Sequence, residues 1–494
     1  MTFHPVSQEL YPGDRYWVPL RIKDHLPNSL ETHLGIRGRL HKTDCLDRMP
    51  IGRKGSGNAM RAIRYPTPGL DKFEFLARNL HDGQNRYTLT FDGRLDQDRI
   101  ARAIRLSLDA EPILGCRFVW HPWWPYWERS LDLDTVPLCP VVEVQDLESE
   151  LGEFLASPLD SLKGIQVRAR LFRGSQDVLC IKLTHESADA AGAFDYLALI
   201  GKIYRELGTN PAYSPPVNLG RRGQGQVFRN VGFLPLLRAC FHFSFPRSHW
   251  RFPQSGQRPT GGRFALRRIG PEGRVRMKNY CRDHQVSVND LMTAAYFRAL
   301  CELLDPPPDI PLPIEVSVDL RRHLPLRRAE AICNLSGAFF PALRRKAKDT
   351  LEDTVAEVHR MTEASQSTSP WLRDVLLLEG APFSLLRQVA PRLISRQLAS
   401  GRIIPWLTNV GIIDRRLPDF GDIDLKNASG FGPVPNPPGC FLLTWIFSGN
   451  LIISTSFTQD SASPYTGEHL LDAFVRQLSL AGAPQALRTS LVGL

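Results

Sequence analysis

Residues 178–192 read VLCIKLTHESADAAG and combine a strand, a polar turn and the start of a helix. Val178 to Leu183 are mostly apolar and include β-branched side chains, which predicts a strand paired with a preceding one over Ile165 to Phe172. From Ala190 to Leu207 apolar residues recur on one helical face. His185 is therefore predicted on a tight turn between a strand and a helix.

A turn of this kind holds an imidazole in place and exposes one of its nitrogens. Free imidazole has a pKa of about 6.5, so it is mostly neutral at physiological pH and can take a proton from an attacking hydroxyl or amine. Acyl transfer from a thioester needs such a base, and also donors that stabilise the oxyanion. We predict His185 as this base. We predict that Asp189 caps the helix or binds an arginine, and that Glu186 is solvated.

The segment resembles the His-His-x-x-x-Asp-Gly motif of the chloramphenicol-acetyltransferase-like superfamily. That superfamily includes nonribosomal-peptide condensation domains, polyketide-associated acyltransferases, wax ester synthases and alcohol acetyltransferases. His185 matches the catalytic His, Asp189 matches the Asp, and Thr184 stands where the first His would be. Ala190 replaces the Gly, and Gly192 follows two positions later. Because glycine permits backbone angles that alanine resists, the departure at Ala190 makes impaired turnover an alternative prediction.

Other segments resemble the superfamily in the same order, over roughly residues 70–485. They are Gly93–Asp96, Glu111–Leu114, Val288–Leu291, Val318–Arg322, Asn334–Gly337 and Thr408–Gly411. The resemblance implies that Arg321 holds Asp189 across a lobe junction, in a structural role. A plain surface charge at Arg321 stays open as an alternative.

The resemblance also implies candidates for the walls of the substrate channel or for oxyanion donors. They are Thr184, Ala190, Asn409 and Gly411. For Asn409 the alternative that its side chain only shapes a turn stays open.

The fold implied is α/β, with two chloramphenicol-acetyltransferase-like lobes in a V, a central channel between them and His185 at its centre. We divide the chain into a partly irregular N-terminal extension (1–70) and an N-terminal lobe with the His motif (71–225). An inter-lobe connection (226–262) and a C-terminal lobe (263–494) follow.

In the second half, strands are predicted at 263–269, 314–318 and 338–343, helices at 273–283, 288–303 and 351–363, and a hairpin over 440–457. The apolar stretch Val231–Phe245 predicts a packed linker helix, with contact to a membrane surface as the alternative. The tryptophans between Trp120 and Trp127 predict core or lobe-edge packing rather than an acyl-binding wall.

The 494 residues are 43% hydrophobic and 23% charged, with a net charge of +10. This charge admits acidic partners, but the basic residues are scattered and carry no nucleic-acid-binding signature, so nucleic acid is disfavoured. The nine cysteines are widely spaced and include no Cys-x-x-Cys pair, which indicates reduced thiols and no metal site. The absence of a signal peptide or a membrane-spanning apolar run predicts a cytoplasmic protein.

Together these features predict an acyltransferase that moves an acyl group from a thioester to a hydroxyl or amine, with His185 as general base. No bound cofactor is expected. The co-substrate would be acyl-CoA or a phosphopantetheine thioester on an acyl carrier protein, the acceptor a small molecule, and the setting secondary metabolism. The alternative is a catalytically impaired condensation-like protein that binds a carrier protein or a lipid.

Overall fold

The computed structural model describes residues 62–240, 247–252, 260–346, 348–413, 419–436, 439–459 and 467–482. Most of the predicted N-terminal extension, residues 1–61, lies outside the described residues, and so do the last residues of the predicted C-terminal lobe.

The strands, in chain order, are β1 Arg64–Pro66, β2 Gln84–Phe91, β3 Cys116–Val119, β4 Tyr126–Arg129, β5 Val141–Glu143, β6 Val167–Arg173, β7 Asp177–Thr184, β8 Thr260–Ile269, β9 Pro311–Pro313, β10 Glu315–Asp319, β11 Ser336–Phe339, β12 Ala342–Arg344, β13 Trp406–Ile412, β14 Leu425–Phe431, β15 Phe441–Phe447 and β16 Asn450–Gln459. The α-helices are α1 Gly69–Ala77, α2 Gln97–Ala110, α3 Leu147–Ala156, α4 Ala190–Thr209, α5 Gly225–Val231, α6 Phe233–Cys240, α7 Pro271–Asp283, α8 Val288–Leu304, α9 Leu351–Thr368, α10 Pro370–Gly380, α11 Phe383–Ala399 and α12 Gly467–Ser479.

The first lobe is built on a mixed sheet with the order β14-β2-β7-β6-β5 among the described strands. β7 lies at its centre, and every residue of β7 is buried. A strand covered on both faces needs the apolar run that this segment carries. The edge strand β14 comes from the second half of the chain and pairs antiparallel with β2. The two halves of the chain are therefore interlocked at this sheet.

The second lobe is built on a larger mixed sheet, in which the described strands follow the order β11-β10-β13-β15-β16-β8. Helices α8 and α12 pack against each other, and their apolar residues form one core with those of the sheet. Ser287 and Asp290 form a reciprocal capping box at the start of α8. The hairpin β15–β16 turns at Ser448 and Gly449, both with positive φ, and confirms the strongest turn signal in the sequence.

The structure confirms the two strands, the turn and the helix predicted around His185. The strands are β6 and β7, and the helix is α4. The fold class is also confirmed, since the chain is a mixed α/β protein with two lobes. The predicted division into 71–225, 226–262 and 263–494 stays a prediction.

Two details of the predicted elements were wrong. The single strand predicted over 338–343 is two strands, β11 in the large sheet and β12 paired with β9. Pro341 lies between them and has no amide hydrogen to donate, so it cannot continue a ladder. Helix α1 was not predicted.

The tryptophan cluster divides in two. Trp127 is fully buried in β4, as predicted, and donates from Nε1 to Asp71. Trp120 is 43% exposed and packs at the edge of the protein against Phe75 and Phe383. The prediction was wrong for Trp123 and Trp124, whose exposed fractions are 58% and 76%. The sequence between β3 and β4 is WHPWWP, and its two prolines favour a loop that projects from the strands.

The predicted linker helix is present as α6, and Leu236 packs towards the core formed by α10 and the Leu320–Leu335 region. Its neighbours Phe233 and Leu234 are exposed, and residues 241–245 of the predicted stretch lie outside the described residues. None of the described helices is both long and apolar enough to span a bilayer. Seven described cysteines are buried and free, as expected for reduced core thiols.

Candidate active site

His185 is the first residue after β7, on the turn that leads into α4. Its amide donates to the carbonyl of Gly83 at 2.7 Å, and its own carbonyl accepts from Nδ2 of Asn334 at 2.9 Å. The side chain is 18% exposed, whereas its Nδ1 atom is fully buried. The exposed part of the ring therefore excludes Nδ1, and Nε2 has no hydrogen-bond partner among the described residues.

Glu74, on helix α1, faces the buried side of the ring. Its Oε2 atom lies 3.3 Å from Nδ1 of His185, within ion-pair distance but not aligned as a hydrogen bond. The same oxygen is buried and has no other hydrogen-bond partner. Burial raises the pKa of Glu74, and the neighbouring His185 partly offsets that rise. The carboxylate is thus placed to respond directly to the charge on the imidazole.

A second histidine, His81, completes this group. Nδ1 of His81 accepts the amide hydrogen of Gly83 at 3.1 Å, and Nε2 lies 3.6 Å from the same Oε2 atom of Glu74. Burial, followed by the nearby His185, lowers the pKa of His81 to about 3, so this ring is neutral at physiological pH. Because Nδ1 is the acceptor, the ring proton is on Nε2 and faces Glu74. The two imidazole rings are 6.0 Å apart.

The carbonyl groups of the His185 turn are held by two buried side chains. Asn334 donates from Nδ2 to the carbonyls of His185 and Glu186, both at 2.9 Å. Arg222 donates to the carbonyl of Ser187 at 2.6 Å. Asp71 of α1 binds both Arg222 and Asn334, at 2.5 and 3.2 Å. Burial raises the pKa of Asp71, and the charge of Arg222 opposes that rise. The turn is thus fixed by groups that never reach the imidazole ring.

Asp189 and Arg321 form a buried bidentate ion pair, with N–O distances of 2.9 and 3.0 Å. Asp189 also caps α4 by accepting from the amide of Gly192 at 2.8 Å, and accepts from the amide of Leu335 at 2.8 Å. Although burial favours its neutral form, Arg321 and these amides lower the pKa of Asp189 overall. Asp189 therefore fills both predicted roles at once. The surface alternative for Arg321 is wrong, because only 1% of it is exposed.

Thr184 was predicted as a channel or oxyanion candidate, and its environment contradicts this. It is 1% exposed, and its hydroxyl donates to Oε1 of Gln166 at 2.6 Å. Its carbonyl accepts from the hydroxyl and the amide of Ser187. A hydroxyl hydrogen committed to a buried amide cannot also stabilise an oxyanion. Thr184 supports the turn instead.

Ala190 is the first residue of α4, and its backbone does not have the positive φ that would require glycine. The strain expected from replacing the motif's glycine is therefore absent at this position. The close approach occurs at Gly192 instead, where an added Cβ would lie 2.8 Å from the carbonyl oxygen of Cys333. Whether Ala190 contributes to an oxyanion site stays a prediction.

Asn409 and Gly411 shape a bulge in β13. Oδ1 of Asn409 accepts from the amide of Gly411 at 3.1 Å, and the register with β15 shifts between these two residues. Gly411 has a φ of +81°, which favours glycine. This is the turn-shaping role that the sequence left open for Asn409. On the same strand, the ring of Trp406 packs edge-on against the ring of His81, with ring centres 6.3 Å apart.

Two further carboxyl groups surround this site. Glu186 is 6% exposed and accepts from the hydroxyl of Ser161 at 3.0 Å, so the prediction that it is solvated was wrong. Burial raises its pKa to about 7. Glu315 of β10 accepts from Nε1 of Trp406 at 2.7 Å, and burial raises its pKa to about 7 as well. Both groups ionise near neutral pH.

The described residues include no cluster of His, Cys, Asp and Glu that could hold a metal ion. A cavity of about 440 Å³ opens beside strands β2, β14 and β16, and its lining includes Arg268 and Lys426. His185 is not part of that lining, so the cavity is separate from the histidine site.

Comparison with solved structures identifies the fold. Polyketide synthase associated protein 5 from Mycobacterium tuberculosis superposes with a TM-score of 0.60 at 15% identity, covering 85% of this chain and 98% of that one. Trichothecene 15-O-acetyltransferase from Fusarium sporotrichioides gives 0.63 at 14% identity, covering 87% and 97%. The first condensation domain of the calcium-dependent antibiotic synthetase gives 0.60 at 16% identity, covering 85% and 97%. No family model and no curated protein sequence matches the chain.

Proposed function

We propose that this chain, which has the two-lobed fold of condensation domains and acetyltransferases, is an acyltransferase with His185 as its general base. The observation that carries the proposal is the state of the His185 ring, with Nδ1 buried against Glu74 and Nε2 free of protein hydrogen bonds among the described residues. A base needs one nitrogen held and the other open to a reactant.

In the proposed reaction, Nε2 of His185 takes the proton of an acceptor hydroxyl or amine as its oxygen or nitrogen attacks the thioester carbonyl. The resulting tetrahedral intermediate carries a negative oxygen. When that intermediate collapses, the carbon–sulfur bond breaks, and the imidazolium returns its proton to the leaving thiolate. The products are an ester or amide and a free thiol, so protons and charge balance.

Glu74 is the group best placed to assist the proton transfer. While His185 holds the extra proton, its imidazolium would lie beside a carboxylate in a site with little water, where opposite charges attract strongly. Once the proton leaves, the pair returns to a neutral imidazole beside a carboxylate. His81, neutral and with its Nε2 proton directed at Glu74, would help to orient that carboxylate. Both are positioning residues in this scheme.

The donor would be acyl-CoA or an acyl group on the phosphopantetheine arm of a carrier protein, and the acceptor a small molecule. The structural relatives include a condensation domain and an acetyltransferase, so both kinds of donor are worth testing. The test is release of free thiol from a panel of acyl-CoA and acyl-pantetheine thioesters in the presence of alcohol or amine acceptors. Wild-type protein should release thiol with at least one pair, and His185→Ala should not.

The competing proposal is that this protein keeps the fold but only binds a carrier protein or a lipid, without catalysing a reaction. Ala190 lacks the positive φ that would require glycine, which argues against the impairment considered for this position. Thiol release no faster than the uncatalysed background, by wild type and His185→Ala alike across the whole panel, would favour the binding protein.

A further inference from the structure

The loop between β3 and β4 presents tryptophan rings to solvent. Trp123 and Trp124 are 58% and 76% exposed, and their amides both donate to Nδ1 of His121, at 3.3 and 3.0 Å. The backbone at the tip of the loop is thus tied to the loop itself. Large indole rings held outward at a loop tip bury little of their surface against this chain. We therefore expect that surface to be buried against another molecule.

Helix α11 lies next to this loop and is apolar on two faces. One face is turned towards the protein and comprises Phe383, Leu386, Ala390 and Ile394. The other carries Leu385, Val389 and Leu393 at four-residue spacing, with exposed fractions of 55%, 43% and 56%. A helix that is apolar on both faces normally packs on both. The outer face of α11 has no cover within the described chain.

The loop contacts the first residue of helix α11. The ring of Trp120 packs edge-on against Phe383, the first residue of α11, with ring centres 5.4 Å apart. Trp120 also lies 5.7 Å from Phe75, the residue after Glu74 on α1. We define the apolar patch as Trp120, Trp123, Trp124, Leu385, Val389 and Leu393. Exposed apolar side chains on two adjacent elements, as in this patch, are typical of an interaction site in a monomer.

The charged side chains of helix α11 itself are all basic. Residues 380–413 contain four arginines and no aspartate, glutamate or lysine. Two of these arginines, Arg392 and Arg396, are exposed on α11 itself. The loop residues 118–127 contain no acidic residue either. The complementary surface must therefore be apolar at its centre and anionic at its boundary.

We propose that the apolar patch docks this protein on an anionic phospholipid membrane. Indole rings favour the headgroup boundary, leucines insert just below it, and arginines remain among the lipid phosphates. This arrangement places tryptophans, an apolar helical stripe and basic side chains at one surface, as membrane-surface helices do. Because Trp120 packs on Phe75, docking would also bring lipid close to the helix that carries Glu74. The inference does not depend on His185 being catalytic.

The test is vesicle flotation of the full-length protein with phosphatidylcholine alone and with a 3:1 mixture of phosphatidylcholine and phosphatidylglycerol. Wild-type protein should float with the anionic vesicles, less so at high salt and least with phosphatidylcholine alone. Trp123→Ala/Trp124→Ala and Leu385→Ser/Leu393→Ser should each lower the partition coefficient by roughly tenfold or more. Arg392→Glu/Arg396→Glu should lower it by roughly tenfold or more at low salt.

Matched controls are available on helix α7, which is basic and exposes Val275 at 56%. Val275→Ser should leave binding unchanged, and Lys278→Glu/Arg282→Glu, with the same change in net charge, should weaken it much less than the α11 pair. Brominated lipid should quench wild-type tryptophan fluorescence more than that of Trp123→Ala/Trp124→Ala. His185→Ala should bind vesicles as wild type does.

Failure of wild-type protein to bind anionic vesicles would overturn the proposal and leave an acidic protein as the better occupant of the patch. Equal losses in the α7 and α11 charge variants would also overturn it, since binding would then follow overall charge rather than this surface.

Discussion

Oε2 of Glu74 lies 3.3 Å from Nδ1 of His185, and neither of these buried atoms has a hydrogen-bond partner among the described residues. A carboxylate in this position adds attraction for the ring only when the ring is protonated. If His185 accepts a proton during the reaction, Glu74 therefore stabilises the protonated form of its imidazole ring. Of the two residues, His185 was predicted from the sequence and Glu74 was not.

Glu74→Gln should lower kcat by about 10- to 100-fold with little change in KM, because the amide keeps the size of the side chain but removes its charge. Steady-state thiol release measures this. The control is Glu379→Gln, since Glu379 binds the amide of Gly69 on the same helix without approaching His185. Unchanged kcat in Glu74→Gln would show that the carboxylate has no part in the chemistry.

The ion pair between Asp189 and Arg321 should show strong coupling in a double-mutant cycle on the free energy of unfolding. Asp189→Asn and Arg321→Met should each cost about 3 to 5 kcal/mol, since each leaves a charged partner buried. The double variant should lose less than the sum, by about 1 to 3 kcal/mol. The exposed pair Arg282 and Asp283 is the comparison, with at most about 1 kcal/mol of coupling. Additive losses at Asp189 and Arg321 would contradict the structural role.

Glu186 should make the protein less stable as pH rises. Its pKa is about 7 in the folded protein and about 4.5 when unfolded, so the folded state holds the extra proton between these values. The contribution to stability is complete below pH 4.5 and is lost as pH rises through 7. Glu186→Gln should therefore match wild type near pH 5 and exceed it by about 1 to 2 kcal/mol at pH 8.

Urea denaturation at several pH values measures this difference, with Glu153→Gln on exposed helix α3 as the control. A constant difference between Glu186→Gln and wild type from pH 5 to 8 would count against a buried, neutral Glu186.

Restoring the motif's first histidine should not improve the protein. Thr184 is enclosed and bonded to Gln166, so Thr184→His would force a larger ring into a filled space and cost about 1 to 3 kcal/mol. Thr184→Ser keeps the hydroxyl and should cost less. Denaturant midpoints and thiol release together test this, and a stable, more active Thr184→His would show that the turn has room for the second ring.

The strand, turn and helix around His185 were predictable because they depend on local patterns, whereas the two-lobed fold was implied by the resemblance to a known superfamily. β7 is a continuous apolar run, α4 has helical periodicity, and Asp189 has the side chain that a helix start requires. The pairing with Arg321 came from the resemblance of two short motifs, since residues 132 positions apart in sequence have no local relationship.

The partners of His185 could not be predicted from such patterns. Glu74 and His81 belong to a helix and a connecting segment that pack against the turn only in the folded protein, and no fixed spacing relates them to His185. Asp71 gave no signal either, because helix α1 was not predicted and the burial of Asp71 is visible only in the structure. Asn334 was noted within a motif, yet its contact with the His185 carbonyl depends on how the second lobe meets the first.

The exposure of Trp123 and Trp124 was missed for a related reason. Aromatic residues are usually buried because burial of their surface is favourable, and the sequence does not say when a loop carries them outward. The proline on either side of the pair was the available signal.

The most direct test of the account is the rate of thiol release by purified wild-type protein and by His185→Ala, measured side by side with the most active thioester and acceptor pair in the panel. We predict that the variant folds, as judged by an unchanged unfolding transition, and loses about 100-fold or more of the rate. Release by His185→Ala at the wild-type rate would contradict the assignment of His185 as the general base.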